Sequence, residues 1–69
     1  MSDIVDEFGK RLRELRKSRD LSQEALSREA GLDRTYVGKI ERGEKSPSLK
    51  TIQKLAEALE VDKTDLFQF

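Results

Sequence analysis

Arg34, Thr35 and Lys39 are the side chains whose types and spacing suggest chemistry, and that chemistry is recognition rather than catalysis. They stand on a segment running from Arg34 to Arg42 in which Val37 and Ile40 mark an apolar side. At about 3.6 residues per turn, Arg34, Thr35, Gly38 and Lys39 fall away from that side. A guanidinium is a rigid fork of donors that fits two acceptors on one planar edge, guanine O6 and N7 being an example. Threonine offers either a methyl group or a hydroxyl, and lysine a point charge suited to a base acceptor or a phosphate. Ordinary solvated helix residues are the alternative for the same three positions. The chain has no His and no Cys. A histidine-centred triad, thiolate chemistry and the common zinc ligand sets are therefore out of reach. No Gly-rich phosphate loop is present, and the carboxylates fall at helix caps and on solvated faces. Neither catalysis nor a cofactor or metal is expected.

The element that must carry these residues lies between Ser22 and Gly43, SQEALSREAGLDRTYVGKIERG. Ser22 is a natural N-cap for a helix from Gln23 to Ala30, with Ala25, Leu26 and Ala30 on one face. Gly31 stands where a helix ends in a left-handed residue, a conformation glycine reaches without a Cβ clash. Leu32 can turn inward, Asp33 is the next N-cap, and Arg34 to Arg42 is the next helix, closed by Gly43. Small residues on the first helix allow the second to cross it closely. Two short helices joined by such a turn form a helix-turn-helix, whose second helix fits a DNA major groove.

The flanking segments supply the support. Asp3 to about Arg19 is a helix with Val5, Phe8, Leu12 and Leu15 in one stripe, capped by Ser2 or Asp3. Gly9 costs roughly 1 kcal/mol in a helix interior, so either the helix starts later or another backbone passes close to it. Leu21 enters the core. Gly43 to Pro47 is a loop, and Ser48 caps a helix from Leu49 to about Leu59 with Leu49, Ile52, Leu55, Ala56 and Leu59 inward. Asp62 to Asp65 opens a last short turn that ends in Leu66, Phe67 and Phe69. No alternation of period two is long enough for a strand. The fold class expected is all-α, five short helices around one core, with residues 1–69 forming a single domain.

Composition narrows the partner. Charged residues make up 41% of the chain and the formal net charge is zero. Zero net charge argues mildly against nucleic acid, but the charges are segregated along the sequence. Residues 10–19 hold six bases and one acid, and residues 34–54 six bases and two acids, while the segments between and beyond are net negative. Folding can gather these into a basic and an acidic side, or leave a solvated mosaic. No more than two apolar residues stand consecutively, which excludes a membrane span or a signal-peptide core; a cytoplasmic protein is expected.

The stretch LSQEALSREAGLDRTYVGKIERGEKSPSL resembles the helix-turn-helix of the phage-repressor (Cro/cI-like, XRE) family. LDRTYVGKIERG is especially similar to the controller proteins of restriction–modification systems. The resemblance spans about Phe8 to Leu66 and rests on the ordered set L-S-Q-E, the Ala-Gly turn, I-E-R-G and S-P-S-L. It implies a lambda-repressor-like domain that binds double-stranded DNA. The family's base-reading positions fall on Arg34, Thr35 and Lys39, with Tyr36 and Gly38 beside them; many relatives carry Ser at the position of Gly38.

Gln23 opens the first helix of the motif, and the family uses a Gln there for phosphate and as a brace to the recognition helix. Tyr36 can pack its ring and offer its hydroxyl to the DNA backbone. Arg42, Lys45, Ser46 and Ser48 surround the loop after the recognition helix and are the remaining phosphate candidates, the alternative being a flexible charged loop. Lys10, Arg13 and Lys17 fit a solvated face better. Arg16 and Glu41 match positions that form a structural ion pair in the family.

One recognition helix reads only a few base pairs, so such proteins commonly pair on a palindromic site. The candidate dimer surface is Leu59, Val61, Leu66, Phe67 and Phe69, although Leu66 and Phe67 also suit core closure. The chain ends earlier than typical controller proteins, which speaks against pairing in their manner. The function expected is a sequence-specific regulator at a promoter-proximal operator, acting by occlusion or by contact with RNA polymerase. A protein-interaction module, such as an antitoxin component of the same fold, is the alternative.

Overall fold

The structure, a computed structural model, describes residues 3–69. It comprises α1 (Ile4–Ser18), α2 (Gln23–Glu29), α3 (Tyr36–Glu41), α4 (Leu49–Leu59) and a terminal 3-10 helix (Lys63–Phe67). The expected fifth helix is therefore a tighter 3-10 turn. No strand occurs among the described residues.

Short polar side chains start most of these elements. Asp3 accepts the N–H of Asp6 at 3.0 Å, Ser22 that of Ala25 at 3.0 Å and Ser48 that of Thr51 at 3.1 Å. Asp62 accepts the N–H of Thr64 at 2.9 Å while Asp65 accepts that of Asp62 at 3.1 Å, a reciprocal capping box. Ser2, the other capping candidate for α1, lies outside the described residues.

All four α-helices end alike. Asp20, Gly31, Gly43 and Glu60 adopt left-handed φ of 56°, 71°, 75° and 57°. The next N–H then reaches back five residues: Leu21 to the Arg16 carbonyl, Leu32 to Ser27, Glu44 to Lys39 and Val61 to Ala56, at 2.8–3.2 Å. These are Schellman motifs, which satisfy carbonyls that a helix end would orphan. In three of them the residue after the left-handed one is apolar, and Leu21, Leu32 and Val61 pack against the core.

The core gathers Phe8 and Leu12 of α1, Leu26 and Ala30 around α2, Val37 and Ile40 of α3, Leu55, Ala56 and Leu59 of α4, and Leu66. Gly9 lets α1 cross α3 at backbone distance. A Cβ there would collide with the Ile40 carbonyl oxygen and lie 2.9 Å from that of Glu41. Of the two explanations for a glycine inside α1, the close backbone holds. Arg11 ties the 3-10 helix to α1 by donating from Nε to the Asp65 carbonyl at 2.7 Å.

Three expectations are corrected. Leu49 is 85% exposed, because the first residue of α4 projects beyond the stripe that Ile52, Leu55, Ala56 and Leu59 form. Leu59 and Leu66, candidates for a dimer surface, are fully buried within one chain and cannot form one, in line with the inward stripe of α4 and with core closure by Leu66. Both are consumed where α4 packs on α2 and on the 3-10 helix, which in turn closes onto α1. Among the described residues no helix is long and apolar enough to cross a membrane.

Candidate nucleic-acid interface

α3 begins two residues later than the cap at Asp33 suggests. Asp33 Oδ1 accepts both the Thr35 N–H at 2.9 Å and the Thr35 hydroxyl at 2.6 Å. The Tyr36 N–H donates to the Asp33 carbonyl at 3.0 Å. That bond returns only three residues, and the Val37 N–H goes to Ser27 Oγ rather than to the Asp33 carbonyl, so Arg34 and Thr35 lie in a turn and the helix runs from Tyr36 to Glu41. The hydrogen bonds from Thr35 hold the Asp33 carboxyl below its usual range, with Lys39 and Arg34 adding to the effect.

Thr35, the N-cap, makes no side-chain cap of its own. Ser27 of α2 supplies one instead: its fully buried hydroxyl oxygen accepts the Val37 N–H at 3.2 Å. Sequence reasoning passed over Ser27. The signal was a polar residue on the inward strip between Leu26 and Ala30, where an unpartnered hydroxyl would be costly.

Behind α3 lies a buried polar brace. Arg16 Nε donates to Glu41 Oε2 at 2.6 Å and Nη2 to Glu41 Oε1 at 3.0 Å, a bidentate pair. Arg16 Nη1 donates to the Leu21 carbonyl at 2.8 Å, and Gln23 Nε2 to Glu41 Oε1 at 3.0 Å. The Glu41 side chain is only 2% exposed and that of Arg16 9%. One carboxylate thus ties α1, α2 and α3 together, with no buried side-chain polar atom left unpaired among the described residues.

In front, Arg34, Thr35, Lys39 and Arg42 are all exposed. Gln23, Glu24, Arg34, Thr35, Gly38 and Arg42 line one shallow notch between the start of α2 and α3. Gly38 forms its floor: a Cβ there would lie 3.0 Å from both Gln23 Oε1 and Arg42 Nη1. Its missing side chain therefore makes room for two neighbouring side chains of this protein.

Arg42 is engaged with Glu44, Nε to Oε2 at 2.6 Å, on an exposed surface. That hydrogen bond raises the guanidinium pKa and lowers the carboxyl pKa. Tyr36 is half-buried against the core, and Lys45 Nζ sits 5.6 Å from its ring centroid.

The remaining phosphate candidates are less uniform. Ser48 spends its hydroxyl on the α4 cap and on Thr51 Oγ1 at 3.0 Å, so its side chain is committed within the fold. Ser46 borders an apolar groove with Ile4, Val5, Phe8, Pro47, Leu49, Ile52 and Phe67. The structure thus brings Gln23, Arg34, Thr35 and Arg42 together at one notch, leaves Lys39 exposed on α3 and Lys45 beside the Tyr36 ring, and sets Ser46 at the border of that groove.

Comparison with known proteins identifies the family to which this fold belongs. The family described as "Helix-turn-helix" matches residues 12–66. The chain is 41% identical over 68 residues to the control protein C.MunI of Mycoplasma sp, covering 97% of this chain and 92% of that protein. It is 44% identical over 63 residues to the control protein C.BamHI of Bacillus amyloliquefaciens, covering 90% and 78%. Among solved structures it resembles the restriction–modification controller protein C.AhdI from Aeromonas hydrophila, with a TM-score of 0.89 and 52% identity over 91% of this chain and 96% of that one. With its paired helices, its left-handed Gly31 and these relatives, the chain belongs to the helix-turn-helix family of DNA-binding transcriptional regulators, of the phage-repressor (XRE) type.

Proposed function

We propose that this protein lays α3 in the major groove of an operator, with Arg34, Thr35 and Lys39 toward the base edges. Gln23, Tyr36, Arg42 and Lys45 take phosphates on either side, with Ser46 and the Ser48 backbone N–H contributing at the start of α4. The observation that carries this reading is the exposed strip Arg34–Thr35–Lys39 in front of a helix braced from behind by Arg16, Glu41 and Gln23. A rigid backing lets side chains meet base edges without a large ordering cost on binding.

One α3 spans only a few base pairs, so two copies act on one palindromic site about one helical turn apart. The apolar surface favoured for pairing is Leu49, Ile52, Phe67 and Phe69, with the half-buried Val61 as a further candidate. Leu49, Phe67 and Phe69 are 85%, 42% and 54% exposed. Bound near a promoter in the cytoplasm, the pair blocks RNA polymerase or touches it to assist.

Selection of bound duplexes from a random pool tests this. The expected outcome is a site with two related half-sites and an affinity that falls with salt, with a log–log slope of about −0.9 per neutralised phosphate. An asymmetric or featureless pool, or affinity independent of salt, would refute it.

A further inference from the structure

The hydroxyl of Thr35 is already spent. It donates to Asp33 Oδ1 at 2.6 Å, and the same oxygen accepts the Thr35 N–H at 2.9 Å. Two bonds to one carboxylate oxygen fix the side chain relative to its own backbone. Thr35 is nonetheless exposed and borders the notch shared with Gln23, Arg34 and Arg42. A threonine hydroxyl has one proton to give. With that proton held by Asp33, Thr35 has no donor left for a phosphate oxygen, a thymine O4 or a guanine O6. What remains is a methyl group and an oxygen able only to accept. Asp33 reinforces this: a carboxylate beside Thr35 repels phosphate, and the two hydrogen bonds keep it ionised.

We infer that Thr35 reads the 5-methyl group of a thymine by apolar contact, and that Asp33 is the positioning residue that turns its hydroxyl away. This rests on the reading that α3 meets base edges. In the major groove the 5-methyl is the only apolar mark on a standard base pair, so a methyl presented there discriminates thymine from cytosine without any hydrogen bond.

The test uses the intact chain and the duplex recovered by selection, with thymines replaced one at a time by deoxyuridine. At one position per half-site the replacement is expected to weaken wild-type binding about fourfold, roughly the worth of one buried methyl. Thr35→Ser, which keeps the bond to Asp33 and loses the methyl, weakens binding by a similar factor and becomes indifferent to uracil at that position. Thr35→Val, which keeps a methyl and loses the hydroxyl, stays within about twofold of the parent and keeps its sensitivity to uracil, the non-additive signature of direct contact. Uracil tolerated at every position, or Thr35→Val binding far worse than Thr35→Ser, overturns the inference. The uracil series needs no variant, so it decides even if a substitution unfolds the protein. Arg34→Ala separates the two levels: if it weakens binding while uracil has no effect, only the methyl contact fails. If neither Arg34→Ala nor any uracil matters, the placement of α3 fails as well.

Discussion

At the scale of single residues, Glu41 decides most. Its carboxylate receives Arg16 and Gln23 inside the fold, where each lost partner leaves a charge or dipole stranded. A buried pair is not in itself a large net gain over an apolar replacement, yet removing one member costs about 3–5 kcal/mol. A domain of this size holds together by only about 0.05–0.15 kcal/mol per residue. Glu41→Ala is therefore expected to consume most of the stability, with a thermal or urea midpoint far below that of the parent. An unchanged midpoint would show that Arg16 finds water or another partner at no cost. The exposed pair Arg42–Glu44 stands in solvent, where water and salt screen such pairs and little stability follows from them. In the proposed complex a phosphate takes Arg42 from Glu44.

At the scale of elements, the helix ends set where α3 points. Gly31 and Gly43 occupy left-handed positions without strain, but Asp20 and Glu60 occupy the same conformation with a Cβ. That conformation costs a non-glycine residue roughly 1–2 kcal/mol, against which glycine loses about 0.5–1 kcal/mol more backbone entropy on folding. Glu60→Gly also breaks the Arg19–Glu60 pair, whose side chains are 41% and 72% exposed, so little is lost there. The variant is expected to be more stable by up to about 1 kcal/mol in urea melts, with DNA affinity unchanged because Glu60 ends α4, away from α3. A lower midpoint would mean that the surface pair outweighs backbone strain. The Ser27 hydroxyl on the Val37 N–H is the other device of this kind, a cap supplied by α2 in place of the one Thr35 gives up.

At the scale of the molecule, the sequence made the helix pair, the cap of α2 and the ends of α4 legible because they follow from local rules: Ser22 and Ser48 before apolar stripes, Gly31 and Gly43 after them. Gly9 was legible as an anomaly, and the backbone of α3 explains it. What local rules missed depends on neighbours distant in sequence. Leu49 lies on the right helical face but beyond the reach of the other helices, while Leu59 and Leu66 are covered by them. Periodicity gives a side of a helix and not what stands opposite. The start of α3 slipped because the Val37 N–H is taken by Ser27 of α2 rather than by the Asp33 carbonyl. For the same reason Ser27 could not be assigned to the Val37 N–H before the two helices were placed together.

In the proposed complex the outward side of α3 and the turn before it read bases, while the loop after α3 only holds the DNA backbone. Comparing Arg34→Ala and Lys45→Ala on the selected duplex and on its single-base variants tests this most directly. Arg34→Ala is expected to lose about 1–3 kcal/mol of binding and to relax preference at one base position, whereas Lys45→Ala weakens every sequence alike and lowers the salt slope by about one phosphate. Arg34→Ala with the parent's affinity and full base preference would contradict the claim.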